Sequence, residues 1–244
     1  MMKWVKLAFR NVLRNKRRSL VTIIAIGVGF AAISLYYGFI HNVYNGLKII
    51  AVRGEGLGNL RINVAGWQEK GKLEPEKYMF TREQTEKIIK LVTEEKEVTL
   101  ATPQIQVTGI VSNGKVSTVF IAQGIIPKDD KTIQGYWAKF LPIDGQKLSD
   151  DKIYGAETAK DLAKYLDFKP GSDGVVMAPT LEGQMNALDV QINGVYDSGN
   201  DFSNDKFMRF NYYFAQSLLD TQSAERIVIL LKDWDETKRM RDVL

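Results

Sequence analysis

The sequence predicts an α+β protein carried on one N-terminal transmembrane helix, and three observations lead there. An apolar stretch of 22 residues, Ser19 to Ile40, follows a purely basic flank. Beyond it, short runs with the two-residue period of half-buried strands mix with runs of helical period. These runs do not alternate as regular strand–helix–strand units, so a mixed α+β domain, divided into two subdomains, is expected rather than a doubly wound sheet.

The basic flank comes first in the chain. Residues 1–18 carry Lys3, Lys6, Arg10, Arg14, Lys16, Arg17 and Arg18 with no acidic residue. The whole chain has 33 basic and 29 acidic residues, so the remainder after this flank is mildly acidic. The basic character is local, and a nucleic-acid partner is not expected. Trp4, Val5, Ala8, Phe9, Val12 and Leu13 recur at helical spacing between the cations. This pattern describes an in-plane helix at a bilayer surface, with Trp4 and Phe9 in the acyl boundary and Arg10, Arg14, Arg17 and Arg18 on anionic headgroups. A plain stop-transfer cluster of charges is the alternative.

Residues 19–40 contain no ionisable side chain among Asp, Glu, Lys, Arg and His, and their length matches the hydrocarbon core. Eleven are Leu, Ile, Val or Phe, each favouring insertion by about 0.3 to 0.6 kcal/mol. A cleaved signal peptide shares the basic start, but its apolar region is shorter and ends in a small-x-small site. Because only Lys48 and Arg53 are basic in the twenty residues after the span, the N-terminus is expected in the cytoplasm. Tyr36 and Tyr37 then fall at the outer interface. Ala25, Gly29 and Ala32 share one helical face, a spacing that lets a second helix approach closely, although Gly and Ala are also simply common in membrane helices.

Residues 41–59 end in GEGLGN and read as a flexible exit from the membrane, leaving 60–244 as the extracytoplasmic domain. Gly54, Gly56 and Gly58 neither follow a buried strand nor open a helix, which excludes a dinucleotide fingerprint, and the chain holds no GxxxxGK[ST]. Leu60, Ile62 and Val64 alternate as a strand. Thr81 and Gln84 form the signature of a capping box ahead of a helix in EQTEKIIKLVTEE. Residues 105–111 and 116–123 are β-rich runs around Asn113-Gly114, which predicts a hairpin with a type I′ turn. The stretch 127–152, with two prolines and two Asp pairs, reads as irregular surface between the subdomains. Next come a short helix over 156–166, strands over 174–179 and 187–196, a helix over 212–219, a buried strand over 226–231 and a last helix from Trp234.

No catalytic set emerges. Cysteine is absent, which removes thiolate chemistry and Cys-based zinc sites. His41 is the one histidine and stands at the membrane exit, where a polar cap is its expected role. Asp197, Asp201 and Asp205 miss the spacing of a calcium loop and lack its distal Glu. No metal, no cofactor and no enzymatic activity are expected, and the domain is read as one that binds, docks or transmits force.

Residues 7–33, LAFRNVLRNKRRSLVTIIAIGVGFAAI, resemble the opening of permease subunits in the macrolide-exporter and lipoprotein-releasing superfamily of ABC transporters, also called FtsX-like or MacB-like. Residues 154–199 resemble that family's outer-domain pattern, and FAQSLLD (214–220) and RIVILLKD fit its following helix and strand. One departure is Gly171-Ser172-Asp173, where the family has Gly followed directly by Asp. The resemblance implies four membrane helices, so that three would lie beyond Leu244. It also implies an outer domain between the first two helices, a separate cytoplasmic ATPase and a second permease subunit in a homo- or heterodimer. The implied work is mechanotransmission in the cell inner membrane, moving periplasmic domains to export or release a lipoprotein, drug or peptide, with a periplasmic substrate or adaptor protein as a possible partner. A single-pass anchored binding or sensor domain is the alternative.

Overall fold

The computed structural model of the chain describes residues 4–6, 9–10, 14–71, 73–135, 142–199 and 201–244, with Asp201 and Phe202 described by backbone alone. The chain divides into two compact units, Met1–Lys48 and Ile49–Leu244.

In the first unit the described residues of the basic flank, 4–6, 9–10 and 14, are helical, whereas Lys3, Ala8, Val12 and Leu13 lie outside the described residues. Helix α1 runs Lys16–Ile49 with none of its side chains buried. A helix that exposes Leu, Ile, Val and Phe on every face is at odds with water and suited to lipid. Its 34 residues measure about 51 Å, against about 30 Å of hydrocarbon, so the helix outlasts the membrane span. The flexible exit expected at 41–59 is accordingly helical over most of its length. α1 continues to Ile49 and is followed by a π-helical turn, Ile50–Gly54. No proline interrupts this segment, and Asn45 Nδ2 lies 2.9 Å from His41 Nε2 across one helical turn.

Among the described residues the second unit is built on nine strands. These are β1 (Leu60–Ile62), β2 (Val98–Ser112), β3 (Ser117–Ile125), β4 (Pro142–Gly145), β5 (Gly155–Ala159), β6 (Asp173–Pro179), β7 (Met185–Tyr196), β8 (Phe207–Asn211) and β9 (Arg226–Leu231). Six of them close a ring. β2 pairs antiparallel with β3, β3 parallel with β8, β8 antiparallel with β5, β5 parallel with β7, β7 antiparallel with β6, and β6 returns antiparallel to β2. Closure leaves the ring without free edges. The seam is set by Gly109, where an added Cβ would stand 2.0 Å from the Met177 carbonyl oxygen. β2 is long because it serves twice: Val98–Gln104 pairs with β9, and Ile105–Ser112 pairs with β3. β9 in turn carries β1, and β7 carries β4.

The helices of this unit are α2 (Arg82–Thr93), α3 (Pro127–Gln134), α4 (Lys160–Tyr165), α5 (Asp201–Asn204), α6 (Tyr212–Leu218) and α7 (Thr237–Val243). At the core Phe120, Phe210 and Phe214 meet edge to face with centroids 5.4 and 5.2 Å apart, and Val111, Val176, Ile192 and Met208 are fully buried. Such aromatic geometry matches positive ring edges to negative faces.

Several expectations hold. α2 begins with the capping box, Thr81 Oγ1 accepting from the Gln84 amide and Gln84 Oε1 accepting from the Thr81 amide. The inserted Ser172 closes a turn rather than disturbing it: its Oγ accepts from the Lys169 amide at 2.9 Å. Other expectations are corrected. The 113–116 turn is not type I′, because Gly114 alone has a positive φ, +85°. Asn113 instead accepts from the Lys115 and Val116 amides through its side-chain Oδ1, giving a four-residue loop. The helix predicted over 156–166 is half strand: Gly155–Ala159 is β5 and only Lys160–Tyr165 is helical. β5 is buried along its whole length between β7 and β8, and these two ladders outweigh its helix-forming composition. The stretch 127–152, expected as irregular surface, holds α3 and β4, its residues 136–141 lying outside the described ones.

Candidate functional site

The residues singled out as a membrane-facing surface all lie in the first unit. Trp4, Phe9, Arg10, Arg14, Arg17, Arg18, Tyr36 and Tyr37 are helical and exposed. Ala25, Gly29 and Ala32 line up along α1, and a Cβ added at Gly29 meets nothing within 4 Å. His41 stacks on Tyr37 with centroids 6.3 Å apart. Among the described residues no group of three or more His, Asp or Glu is placed to hold a metal ion, and the Asp201 side chain lies outside the described ones. Asp197 instead accepts from Lys160 Nζ at 2.7 Å, Asn204 Nδ2 at 3.0 Å and the Gly199 amide at 2.8 Å, and these three bonds hold its carboxyl far below the usual range.

The segment 50–62, which follows α1 in the chain, is bonded to several elements of the second unit. Val52 and Gly54 are buried. Arg53 Nη1 donates to the Ile133 carbonyl at 3.1 Å, placing a cation at the C-terminal end of α3, where free carbonyls and the helix dipole favour it. The Gly56 carbonyl accepts from Gln104 Nε2 at 3.2 Å, and Gln104 Oε1 accepts from Gln123 Nε2 at 2.7 Å. Gly58 has φ +66°, and a Cβ there would meet Val228 Cγ1 at 2.5 Å and the Ile229 carbonyl at 2.6 Å. Asn59 donates its amide to the Ile229 carbonyl at 2.8 Å and accepts from the Leu231 amide through its side chain at 2.9 Å. β1 then completes the ladder on β9. β9 in turn is paired with the half of β2 that leads into the ring.

A cluster of buried charge lies beside α3. α3 holds Asp130, whose carboxylate pairs with Arg209 Nη2 on β8, and Arg209 Nη1 donates to Glu157 on β5 at 3.0 Å. Side-chain exposure is 4% for Arg209, 9% for Asp130 and 2% for Glu157. Burial opposes the charge on Arg209, and Asp130 and Glu157 together outweigh it, so the guanidinium is held protonated above its ordinary range. Burial pushes the Glu157 carboxyl up, against the pull of Arg209 and of the Leu148 amide donating at 3.0 Å. Lys147 donates to Gln134 on α3 at 3.0 Å, and burial lowers its pKa. These groups were not legible as a set, because Asp130, Glu157 and Arg209 are far apart in sequence. One signal was present: Arg209 interrupts the apolar run Phe207, Met208, Phe210, and a lone cation inside a buried strand demands partners.

No protein-family model matches the sequence, and no curated protein matches it. Solved structures do match. The extracellular domain of the noncanonic ABC-type transporter YknZ from Gram-positive bacteria is 15% identical with a TM-score of 0.51, covering 73% of this chain and 86% of that one. The periplasmic region of MacB from Actinobacillus actinomycetemcomitans is 12% identical with a TM-score of 0.53, covering 75% of this chain and 78% of that one. Identities this low show the fold alone. The chain thus combines one helix long and apolar enough to cross a membrane with a domain that has the fold of the extracytoplasmic domains of MacB-like ABC transporter permeases.

Proposed function

We propose that the chain belongs to a permease subunit of an ABC transporter of the mechanotransmission type. Its N-terminus lies in the cytoplasm, its 49–244 domain lies outside, and it works with a second permease subunit and a separate cytoplasmic ATPase that performs the hydrolysis. The observation that carries this reading is the fastening of residues 50–62 to β9, β2 and α3, because a segment continuous with a membrane helix and bonded at successive residues passes motion on instead of absorbing it. Transport of a substrate then requires that the outer domain bind its client differently in two states.

Two experiments test the proposal. Reading the gene past codon 244 and purifying the encoded protein with its membrane partners should yield three further apolar spans and a bound ATPase. A stop codon at that point with no copurifying ATPase would refute the proposal and leave a single-pass anchored domain. Orientation is tested separately with single cysteines, which the native chain lacks, at Lys6 and at Asn113. An impermeant thiol reagent applied to intact cells should label position 113 and spare position 6, and the opposite pattern would reverse the topology.

A further inference from the structure

A cleft of about 1000 Å³ is lined by α2, by α6 and the turn after it, by Ala101 and Pro103 of β2, and by Ile126 and Asp129 where α3 begins. Its volume reaches the upper end of the range of about 300 to 1,000 Å³ common to small-molecule sites. Part of the lining is aromatic: Tyr213, 56% exposed, meets the buried Tyr212 edge to face with centroids 5.5 Å apart. Ring faces of this kind favour both an aliphatic chain and a cation.

Much of the polar lining donates inward and leaves acceptors behind. Thr85 Oγ1 donates to the Thr81 carbonyl at 2.8 Å, and Ser217 Oγ donates to the Tyr213 carbonyl at 2.9 Å. Gln216 Nε2 donates to Tyr212 Oη at 3.0 Å and to the Ser223 carbonyl at 3.1 Å. Asp129 Oδ2 accepts from Thr102 Oγ1 at 2.6 Å. Asp129 Oδ1 and Gln216 Oε1 meet no protein donor among the described residues, and neither atom is buried. The charges of the lining point the same way. Arg82 Nε donates to Glu86 Oε1 at 2.9 Å, so this exposed pair compensates itself. Asp129 and Asp220 form no ion pair among the described residues, which leaves the cleft two carboxylates without a cation. Burial pushes the Asp129 carboxyl up, and Thr102 and Lys128 pull it back only in part.

A half-buried carboxylate with one oxygen still open is completed by a group that has donors and no acceptor. Because Thr102 already occupies Oδ2, the planar fork of a guanidinium has no matching pair of oxygens, whereas an ammonium needs only one. We infer that this cleft is a binding site for a small aliphatic amine, its ammonium on Asp129 and its methylene chain against Tyr212 and Tyr213. A neutral alcohol with the same chain covers the same rings and leaves the carboxylate charge unanswered. A carboxylate meets like charge at Asp129 and Asp220. The inference concerns the outer domain alone and stands apart from the transport reading.

The test uses the full chain in phosphatidylcholine nanodiscs with cadaverine as the probe, pentanediol as its neutral counterpart and glutarate as its anionic one, read by saturation-transfer NMR after subtraction of empty nanodiscs. Cadaverine is expected to bind the native chain more tightly than pentanediol, and glutarate is expected not to bind. Asp129→Asn keeps an acceptor for Thr102 and removes the charge. It should weaken cadaverine by about tenfold, the worth of one charge-assisted hydrogen bond, and leave pentanediol nearly unchanged. Asp129→Glu should restore part of the cadaverine binding, which separates loss of charge from loss of fold. Ser217→Trp, which keeps Asp129 and narrows the cleft, should abolish binding of both. Glu83→Gln, on α2 outside the cleft, removes one negative charge and should change nothing. No cadaverine signal from the native chain, equal cadaverine binding by Asp129→Asn, the same loss in Glu83→Gln, or full binding by Ser217→Trp would each overturn the inference.

Discussion

Replacing Arg209 with Leu tests the buried charge cluster under α3. The substitution removes the cation that is ion-paired with both Asp130 and Glu157 and leaves two carboxylates, 9% and 2% exposed, without that partner. Breaking a buried ion pair from one side costs about 3 to 5 kcal/mol, since the remaining charge keeps its desolvation penalty and loses its compensation. For a domain of this size each kcal/mol moves the midpoint by about 2 to 4 °C, so Arg209→Leu should lower the thermal midpoint by about 6 to 20 °C at neutral pH. The measurement is thermal unfolding of the full chain in detergent, followed by near-ultraviolet circular dichroism from the Phe120, Phe210 and Phe214 cluster. The pH dependence is a second readout. Burial already raises the Glu157 carboxyl, and without Arg209 an opposing influence is gone. A carboxyl whose folded pKa is raised is penalised above its unfolded range, and that penalty fades as pH falls through the folded value. The deficit of Arg209→Leu should therefore shrink on acidification. The triple variant Arg209→Leu, Asp130→Leu, Glu157→Leu should recover most of the lost stability, because replacing a whole buried ionic set with apolar groups is often neutral. A single-variant deficit below about 1 kcal/mol, or one that grows in acid, would show that these groups are not the desolvated set described.

Four further predictions address other parts of the fold. Gly58→Ala combines a positive φ with a clash against β9, and should destabilise the domain by more than about 2 kcal/mol and speed exchange of the Asn59 and Leu231 amides. Gly109→Ala should push β6 off β2, read as faster exchange across Val175–Met177 while the β1–β9 ladder stays protected. Asp197 is held low by Lys160, Asn204 and the Gly199 amide, so its stabilisation is complete above the ordinary carboxylate range and lost as pH falls through the folded value. Asp197→Asn should then be less stable than the native chain at neutral pH and indistinguishable from it in strong acid, by the same unfolding assay. Thr81→Ala removes half of the α2 capping box and should cost about 1 kcal/mol, with amide exchange accelerated in the first turn of α2 alone.

What could be read from the chain was local. The helix crossing the membrane follows from side chains that are apolar on every face of α1, the capping box from Thr81 and Gln84, and β6, β7 and β9 from β-rich runs bounded by turns. In each case the physical cause lies within a few residues of its effect. The readings that failed had distant causes. Ala156–Ala159 has the composition of a helix start and becomes a strand because β7 and β8 stand on either side of it. β8 was hidden by the charge of Arg209, which only Asp130 and Glu157, brought from α3 and β5, make tolerable inside a sheet.

The helix at 41–54 divides the two kinds of information. By itself the sequence determined that a membrane span ends near Ile40, because hydropathy changes there and transfer free energy depends on each side chain's own chemistry. It could not show that the backbone stays helical to Gly54, or that Arg53 is bonded to α3, Gly56 to β2 and Asn59 to β9. Those glycines look like flexibility when read alone. In the folded chain Gly58 is the residue that allows the backbone to press against β9, a requirement set by Val228 and Ile229, which only tertiary structure brings to it.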